Sequence, residues 1–313
     1  MRRRPFAIPG VSVSELTLGT WGLCGDAYGP VGEADQDRII LRARALGINC
    51  FETADTYANG EMESRLGTVL GADAEVMFVT KVGTDRSAEP PRKRFDTAWL
   101  RERIEASARR LKRTSIDLVL LHNPSEQTLK QGEAVELMRS LCQEGLLRSW
   151  GVSAGSKQVA AAAMDARVPA LQLAFNCLWI DDFRSVVRHL EASGTCLLAR
   201  SVLAHGLLCG FWPADKVFPE SDHRSRRWSP DELRRRLHQL DALRPLIRDD
   251  TTSLRSAALR WVLHHSELAT AVIGPRSVQQ LDQLVRDVRT GPPYLAEEQL
   301  RGLEMRLQDL GAR

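Results

Sequence analysis

Four side chains of complementary type stand out in the sequence: Glu52, Tyr57, Lys81 and His122. A phenol ordinarily has a pKa of about 10, and a neighbouring ammonium favours the phenolate, so a Lys–Tyr pair brings that proton within reach of neutral pH. A carboxylate at position 52 would keep the lysine charged and oriented, and the histidine could hydrogen-bond a substrate oxygen. Together they describe a proton donor for a developing alkoxide, which is what carbonyl reduction by hydride requires. Each residue also has an ordinary reading. A tyrosine after a strand usually packs, a strand-end lysine is usually solvated, and a histidine can be satisfied in the core. What favours chemistry is their joint placement at successive strand ends, with Tyr one of three and Lys one of six in the chain.

The elements that must position them alternate from end to end. Strand-like apolar runs occupy 17–21, 47–52, 76–81, 116–121, 149–153, 170–175, 195–201 and 270–274. Helical periodicities lie between them at 34–46, 61–71, 97–112, 133–145, 156–166, 182–193, 252–266 and 277–288. Eight strands alternating with eight helices predict an α/β fold, a (β/α)₈ TIM barrel, whose usual length of about 250 residues leaves some for extras. These are a leading segment at 1–16 read as an N-terminal hairpin, an extra helical insertion at 230–247 before the last βα unit, and a C-terminal helix near 296–310. The rival doubly wound dinucleotide fold wants G-x-G-x-x-G after its first strand. Gly19-Thr-Trp-Gly22-Leu-Cys-Gly25 has the wrong spacing and precedes loop-like sequence. With no repeat and no shift in composition, residues 1–313 read as one domain.

Composition narrows the partners. With 43% hydrophobic and 27% charged residues the chain is globular rather than fibrous or disordered, and a net charge of +3 removes the main electrostatic argument for nucleic acid or an anionic membrane. The six cysteines form no C-x-x-C pair and have no histidines at zinc spacing, so neither disulfides nor a metal are expected. The basic start lacks an apolar h-region, and no run reaches the roughly 18 apolar residues of a membrane span. The expectation is a cytoplasmic protein acting on a small molecule, as a monomer or weak homo-oligomer.

The sequence resembles the aldo-keto reductase family over nearly its whole length. Leu18-Gly19-Thr20-Trp21-Gly22 is similar to the family's first strand, and Phe51-Glu52-Thr53-Ala54-Asp55-Thr56-Tyr57, followed by Glu63 and Leu66-Gly67, resembles its Phe-Asp-Thr-Ala-x-x-Tyr signature. Thr80-Lys81, the strand ending on Leu121-His122, Gly151-Val152-Ser153, Gln172 with Asn176, Ser201 with Leu203, and Val272-Ile273-Gly274 with Arg276-Ser277 follow in order. The resemblance implies Tyr57 as general acid, Lys81 lowering its pKa, His122 orienting a carbonyl substrate, and Glu52 in the place of an aspartate. It further implies a nicotinamide cofactor near Thr20 and Trp21, its carboxamide on Ser153 and Gln172, its ring against Arg200, and its pyrophosphate near Ser201, Leu203 and Arg224. Gly274, Arg276, Ser277 and Gln280 would hold the adenosine end. An arginine at a helix N-terminus suits a 2′-phosphate, favouring NADPH/NADP+.

The chain departs from the family at Glu52, Ala154, Arg200 and Leu284, which stand where many members carry Asp, Asn, an aromatic and an adenine-binding Asn. An extra methylene moves the carboxylate by about 1.5 Å, enough to matter in catalytic geometry. Two other functions stay open. One is an NADPH-binding regulatory subunit with weak or no turnover, similar to potassium-channel β subunits; His122 argues against it, since those carry Asn, and Glu52 argues mildly for it. The other is a specialised sugar or natural-product reductase. The loops 23–31, 83–95, 123–132, 177–181 and 205–229 carry no readable specificity code, and 205–229 reads equally as a cofactor clamp or a solvated loop.

Overall fold

The computed structural model describes residues 1–289 and 291–311; Thr290 and the last two residues of the single-domain reading lie outside them. In chain order the strands are β1 (Arg3–Pro5), β2 (Ser12–Ser14), β3 (Leu16–Gly19), β4 (Cys50–Glu52), β5 (Met77–Val82), β6 (Thr84–Asp85), β7 (Arg92–Lys93), β8 (Leu118–His122), β9 (Trp150–Ser153), β10 (Ala170–Ala174), β11 (Cys196–Arg200) and β12 (Leu268–Ile273). The helices are α1 (Glu33–Ala45), α2 (Glu61–Leu70), α3 (Thr97–Leu111), α4 (Glu126–Gln131), α5 (Glu133–Gln143), α6 (Lys157–Asp165), α7 (Asp181–Ser193), α8 (Pro230–Gln239), α9 (Leu254–His264), α10 (Val278–Asp287), α11 (Glu297–Leu300) and α12 (Leu303–Asp309). Strands β3, β4, β5, β8, β9, β10, β11 and β12 close into a parallel barrel, as expected.

Residues two apart on a strand share a face, and here that period sorts the barrel interior into layers. Cys50, Met77, Val79, Leu118, Leu120, Ala170 and Leu198 form one apolar cluster with Phe6, Ile8 and Val13 of the N-terminal segment, where β1 and β2 pair antiparallel. The next residues on the same faces are Glu52, Lys81, His122, Gln172 and Arg200. One end of the barrel is therefore plugged with hydrocarbon and the other lined with polar groups. Outside, apolar stripes of the helices pack on the alternate strand residues, among them Phe51, Phe78, Val119, Leu121, Leu171 and Leu173. Side-chain caps start several helices where the sequence offers Asp or Ser: Asp96 on α3, Ser156 on α6, Ser253 on α9 and Ser277 on α10.

Four features differ from the sequence reading. The helix expected at 230–247 runs as α8 and then tightens into a 3₁₀ segment, Leu240–Leu246, which contains Pro245. The C-terminal helix breaks into α11 and α12 at Gly302, which takes a left-handed φ of 79°. The loops 83–95 and 123–132 carry regular structure of their own, the hairpin β6–β7 and the helix α4. No described helix is long and apolar enough to cross a membrane.

Helix α2, which follows Tyr57, is set against α3 at Gly67. A Cβ there would lie 2.1 Å from the carbonyl oxygen of Arg110 and 2.7 Å from the carbonyl carbon of Leu111, both backbone. Gly67→Ala should therefore destabilise the fold by about 1–3 kcal/mol in urea unfolding through overpacking. Unchanged stability would mean that the two helices do not meet this closely.

Candidate active site

The polar layer converges on one ammonium. Lys81, at the end of β5, is 1% exposed and forms an ion pair with Glu52 Oε1 at the end of β4. Its Nζ also donates to the Thr53 carbonyl at 2.8 Å and to the Tyr57 hydroxyl at 3.0 Å. Tyr57 opens the short 3₁₀ turn Tyr57–Gly60, in which Ala58 and Asn59 have left-handed φ of 45° and 55°. The His122 ring stands edge-on to the Tyr57 ring with centroids 6.5 Å apart. All four expected catalytic residues are thus brought together.

Glu52 makes a second contact. The amide Nε2 of Gln172 donates to the same Oε1 at 3.1 Å, and the Ser153 hydroxyl donates to Gln172 Oε1 at 2.8 Å. A continuous chain, Ser153–Gln172–Glu52–Lys81–Tyr57, crosses the barrel mouth. Gly19, paired with Glu52 across β3 and β4, lies beside the longer carboxylate: a Cβ there would press on Val272 Cγ1 at 2.7 Å and stand in ordinary contact, 3.4 Å, with Glu52 Oε2.

Burial dominates the electrostatics. It pushes the Tyr57 phenol well above its ordinary range; Glu52 adds to the rise and Arg200 opposes it. This runs opposite to the lowering expected from Lys81 alone, because Glu52 offsets the ammonium and the surrounding protein desolvates the phenol. Tyr57 consequently keeps its proton at neutral pH. Burial lowers Lys81, and Glu52 opposes that shift. Burial also holds His122 well below its usual value, helped by Lys81, Lys93 and Arg200, so the imidazole is neutral. Its Nδ1 is buried without a hydrogen-bond partner.

Above these groups opens a cavity of about 830 Å³ lined by Trp21, Tyr57, Lys81, His122, Ser153, Arg200, Ser201, Leu203, Arg224, Gly274, Arg276 and Gln280 among others. Three of the expected cofactor residues do not line it. Thr20 is fully buried with its Oγ1 unpartnered, Gln172 lies beneath the cavity, and Ser277 spends its hydroxyl capping α10. Arg224 is also engaged elsewhere: it pairs with Asp222 and stacks over Tyr28, Trp212 and Phe218. Arg276 is braced by the carbonyls of Gly22, Gly29 and Pro30 at 2.8–3.2 Å, while Arg200 donates to the Ala154 carbonyl at 2.8 Å.

Sequence reading missed Arg227, which lines the cavity over the rings of Trp179 and Trp228. Among the described residues, Arg200, Arg227 and Arg276 have no carboxylate partner. It also missed the ring cluster that joins the loop after β11 to the loop after β3. His205 and His223 pack on Trp21 and Tyr28, and His223 N donates to the Ala27 carbonyl at 2.9 Å. Burial lowers His205 to about 2 and His223 to about 4, so both pack as neutral rings. The aromatic richness of 205–229 was visible, but its partners were not.

Residues 15–292 match the aldo/keto reductase family. The chain belongs to that family. Membership carries oxidoreductase chemistry on carbonyl groups and dependence on a nicotinamide cofactor. An uncharacterized oxidoreductase of Mycobacterium tuberculosis is 31% identical over 280 residues, 86% of this chain and 83% of the relative. L-glyceraldehyde 3-phosphate reductase of Escherichia coli is 26% identical over 307 residues, 91% of this chain and 87% of the relative. Among solved structures, the holo form of an aldo-keto reductase from Bacillus halodurans superposes with a TM-score of 0.81 at 25% identity, covering 100% of this chain and 97% of that one. A glycerol dehydrogenase from Gluconobacter oxydans gives 0.83 at 28%, covering 98% and 96%.

Removing the counter-charge exposes the cost of the buried lysine. Glu52→Gln should destabilise this reductase by about 3–5 kcal/mol at pH 7, the usual effect of orphaning a buried charge. Lys81 would then titrate far below its unfolded value. Between those two values the unfolded chain binds the extra proton, so the deficit shrinks as pH rises towards about 10. Urea unfolding of both proteins at pH 7 and pH 9.5 checks this; a deficit that widens with pH would contradict it.

Proposed function

We propose that this aldo-keto reductase reduces an aldehyde or ketone to an alcohol with NADPH, Tyr57 acting as general acid. The observation that carries the reading is the Tyr57 hydroxyl, 3.0 Å from a buried, ion-paired ammonium at the floor of the cavity. The bound dihydronicotinamide would supply the hydride to the carbonyl carbon. Tyr57 gives its proton to the carbonyl oxygen, and the Lys81 ammonium, already donating to the phenol oxygen, stabilises the charge left there. Glu52 keeps Lys81 protonated in a site that otherwise favours the neutral amine. Neutral His122 offers an N–H to the same substrate oxygen and holds it facing Tyr57.

The cavity fits the cofactor. Three arginines without carboxylate partners among the described residues answer an elongated polyanion, and Ser153, held from beneath by Gln172, would meet the nicotinamide carboxamide. Arg276, braced at the N-terminal side of α10, supports a 2′-phosphate and hence NADPH over NADH. Its neighbours Gly274 and Gln280 would stand by the adenosine end, with Trp21, Arg200, Ser201, Leu203 and Arg224 towards the nicotinamide and pyrophosphate, whereas Thr20 and Ser277 support the wall from behind. Arg227 joins that set as a pyrophosphate ligand. The relatives named as glyceraldehyde phosphate and glycerol enzymes support small polar substrates. The regulatory-subunit reading loses its main support, since Glu52 still reaches Lys81.

Loss of NADPH absorbance with a panel of aldehydes tests the reading, and no turnover with any of them alongside tight NADPH binding would sink it. Tyr57→Phe should cut kcat by on the order of 10²- to 10⁴-fold while NADPH affinity stays essentially unchanged. Comparable loss of both would remove Tyr57 from the acid role. Arg276→Met should weaken NADPH binding by about 1.5–3 kcal/mol and leave NADH binding nearly unaffected. Equal weakening of the two cofactors would place the 2′-phosphate elsewhere.

A further inference from the structure

The hairpin β6–β7, which follows the lysine-bearing strand, touches both oxygen-directed side chains of the site through their backbones. From one arm's extension, Arg86 Nη1 donates to the Thr56 carbonyl at 2.6 Å and to Asp26 Oδ2 at 3.0 Å. The same Asp26 oxygen accepts the Ala58 N–H at 3.2 Å. The peptide groups on the two sides of Tyr57 are therefore held by one ion pair, and Ala58 sits at a left-handed φ that an alanine does not adopt without such support. From the other arm, Lys93 Nζ donates to the Thr84 hydroxyl and to the His122 carbonyl, both at 2.7 Å. Thr84 and Lys93 are opposite each other in the hairpin, so the pairing register itself sets where that ammonium reaches.

We propose that the β6–β7 hairpin is a positioning device for the acid site: Arg86, with Asp26, fixes the Tyr57 turn, and Lys93 fixes the end of β8 that carries His122. The proposal rests on the reductase reading for its catalytic consequence and on the backbone contacts alone for its structural one. Arg86 also lines the cavity, but neither side chain bonds the Tyr57 hydroxyl or the His122 ring; both act through the backbone beside them. A displacement near 1 Å at a proton donor is costly, which is the size of movement these contacts restrain. The arrangement has an electrostatic side as well. The charged or titratable groups facing His122 are Lys81 from β5, Lys93 from β7, Arg200 from β11 and Tyr57 from the turn after β4. Lys93 thus adds to the field that keeps the imidazole neutral, whereas Arg86 is not among those groups.

The two halves can be separated experimentally. Arg86→Met and Lys93→Met should each lower kcat by on the order of 10-fold or more with little change in NADPH affinity. Arg86→Lys and Lys93→Arg should recover much of the loss, and Glu89→Gln, which removes a charge from the exposed tip between the two strands, should match wild type. In NMR titrations of the cofactor-free chain, with the His122 signal assigned from a His122→Gln variant, Lys93→Met should raise the His122 midpoint and Arg86→Met should leave it in place. Amide exchange at Ala58 should quicken in Arg86→Met alone. Wild-type kcat in both methionine variants, an unmoved His122 midpoint in Lys93→Met, or an equal loss in Glu89→Gln would overturn the proposal. Absence of carbonyl turnover in wild type would instead overturn the reductase reading, leaving the titration and the exchange to judge the hairpin.

Discussion

An ammonium and a carboxylate buried together at the mouth of the barrel set the terms for everything around them. Lys81 and Glu52 are among the least exposed polar side chains of the chain, and each is costly to bury without the other. The pair persists because its remaining hydrogen-bonding capacity is met. Lys81 has Thr53 and Tyr57 as further acceptors, and Glu52 has Gln172 as a further donor. Tyr57 is thereby drawn to within hydrogen-bond distance of a fixed positive charge while its ring still lines the open cavity. A protonated phenol with a prepared site for its negative charge follows from that arrangement.

The substitution of glutamate for the family's aspartate does not break this chain. One Oε1 of the longer carboxylate still serves both Lys81 and Gln172. The consequence is a link absent from the sequence reading. The amide that the resemblance assigns to the nicotinamide carboxamide lies instead beneath the cavity, bonded to Glu52 and Ser153, and links the cavity wall to the buried ion pair. Glu52 is therefore a structural member of the network and not a relic of a lost site.

The barrel and its floor were legible because they obey period-two alternation. In β4, β5, β8, β10 and β11 the inward residues run apolar and then end in Glu52, Lys81, His122, Gln172 and Arg200, a pattern readable once strand ends are assigned. What escaped the reading lies in contacts between loops. Asp26 and Arg86 are sixty positions apart and look like ordinary surface charges, and nothing in the sequence says that they bracket Tyr57. Arg227 carried no signal separating it from Arg224 and Arg226, although only the fold shows Arg224 already neutralised by Asp222. The direction of the Tyr57 shift was misjudged for a related reason. Proximity to lysine was visible, but burial and the neutralising effect of Glu52 were not.

Everything in this arrangement requires Lys81 to carry its charge inside the barrel. With six lysines in the chain, ¹⁵N NMR of the lysine side chains across a pH titration can resolve it. One ammonium should exchange slowly, be charged at pH 7, and titrate below the ordinary lysine value because burial opposes its charge. A neutral amine at pH 7 would contradict it.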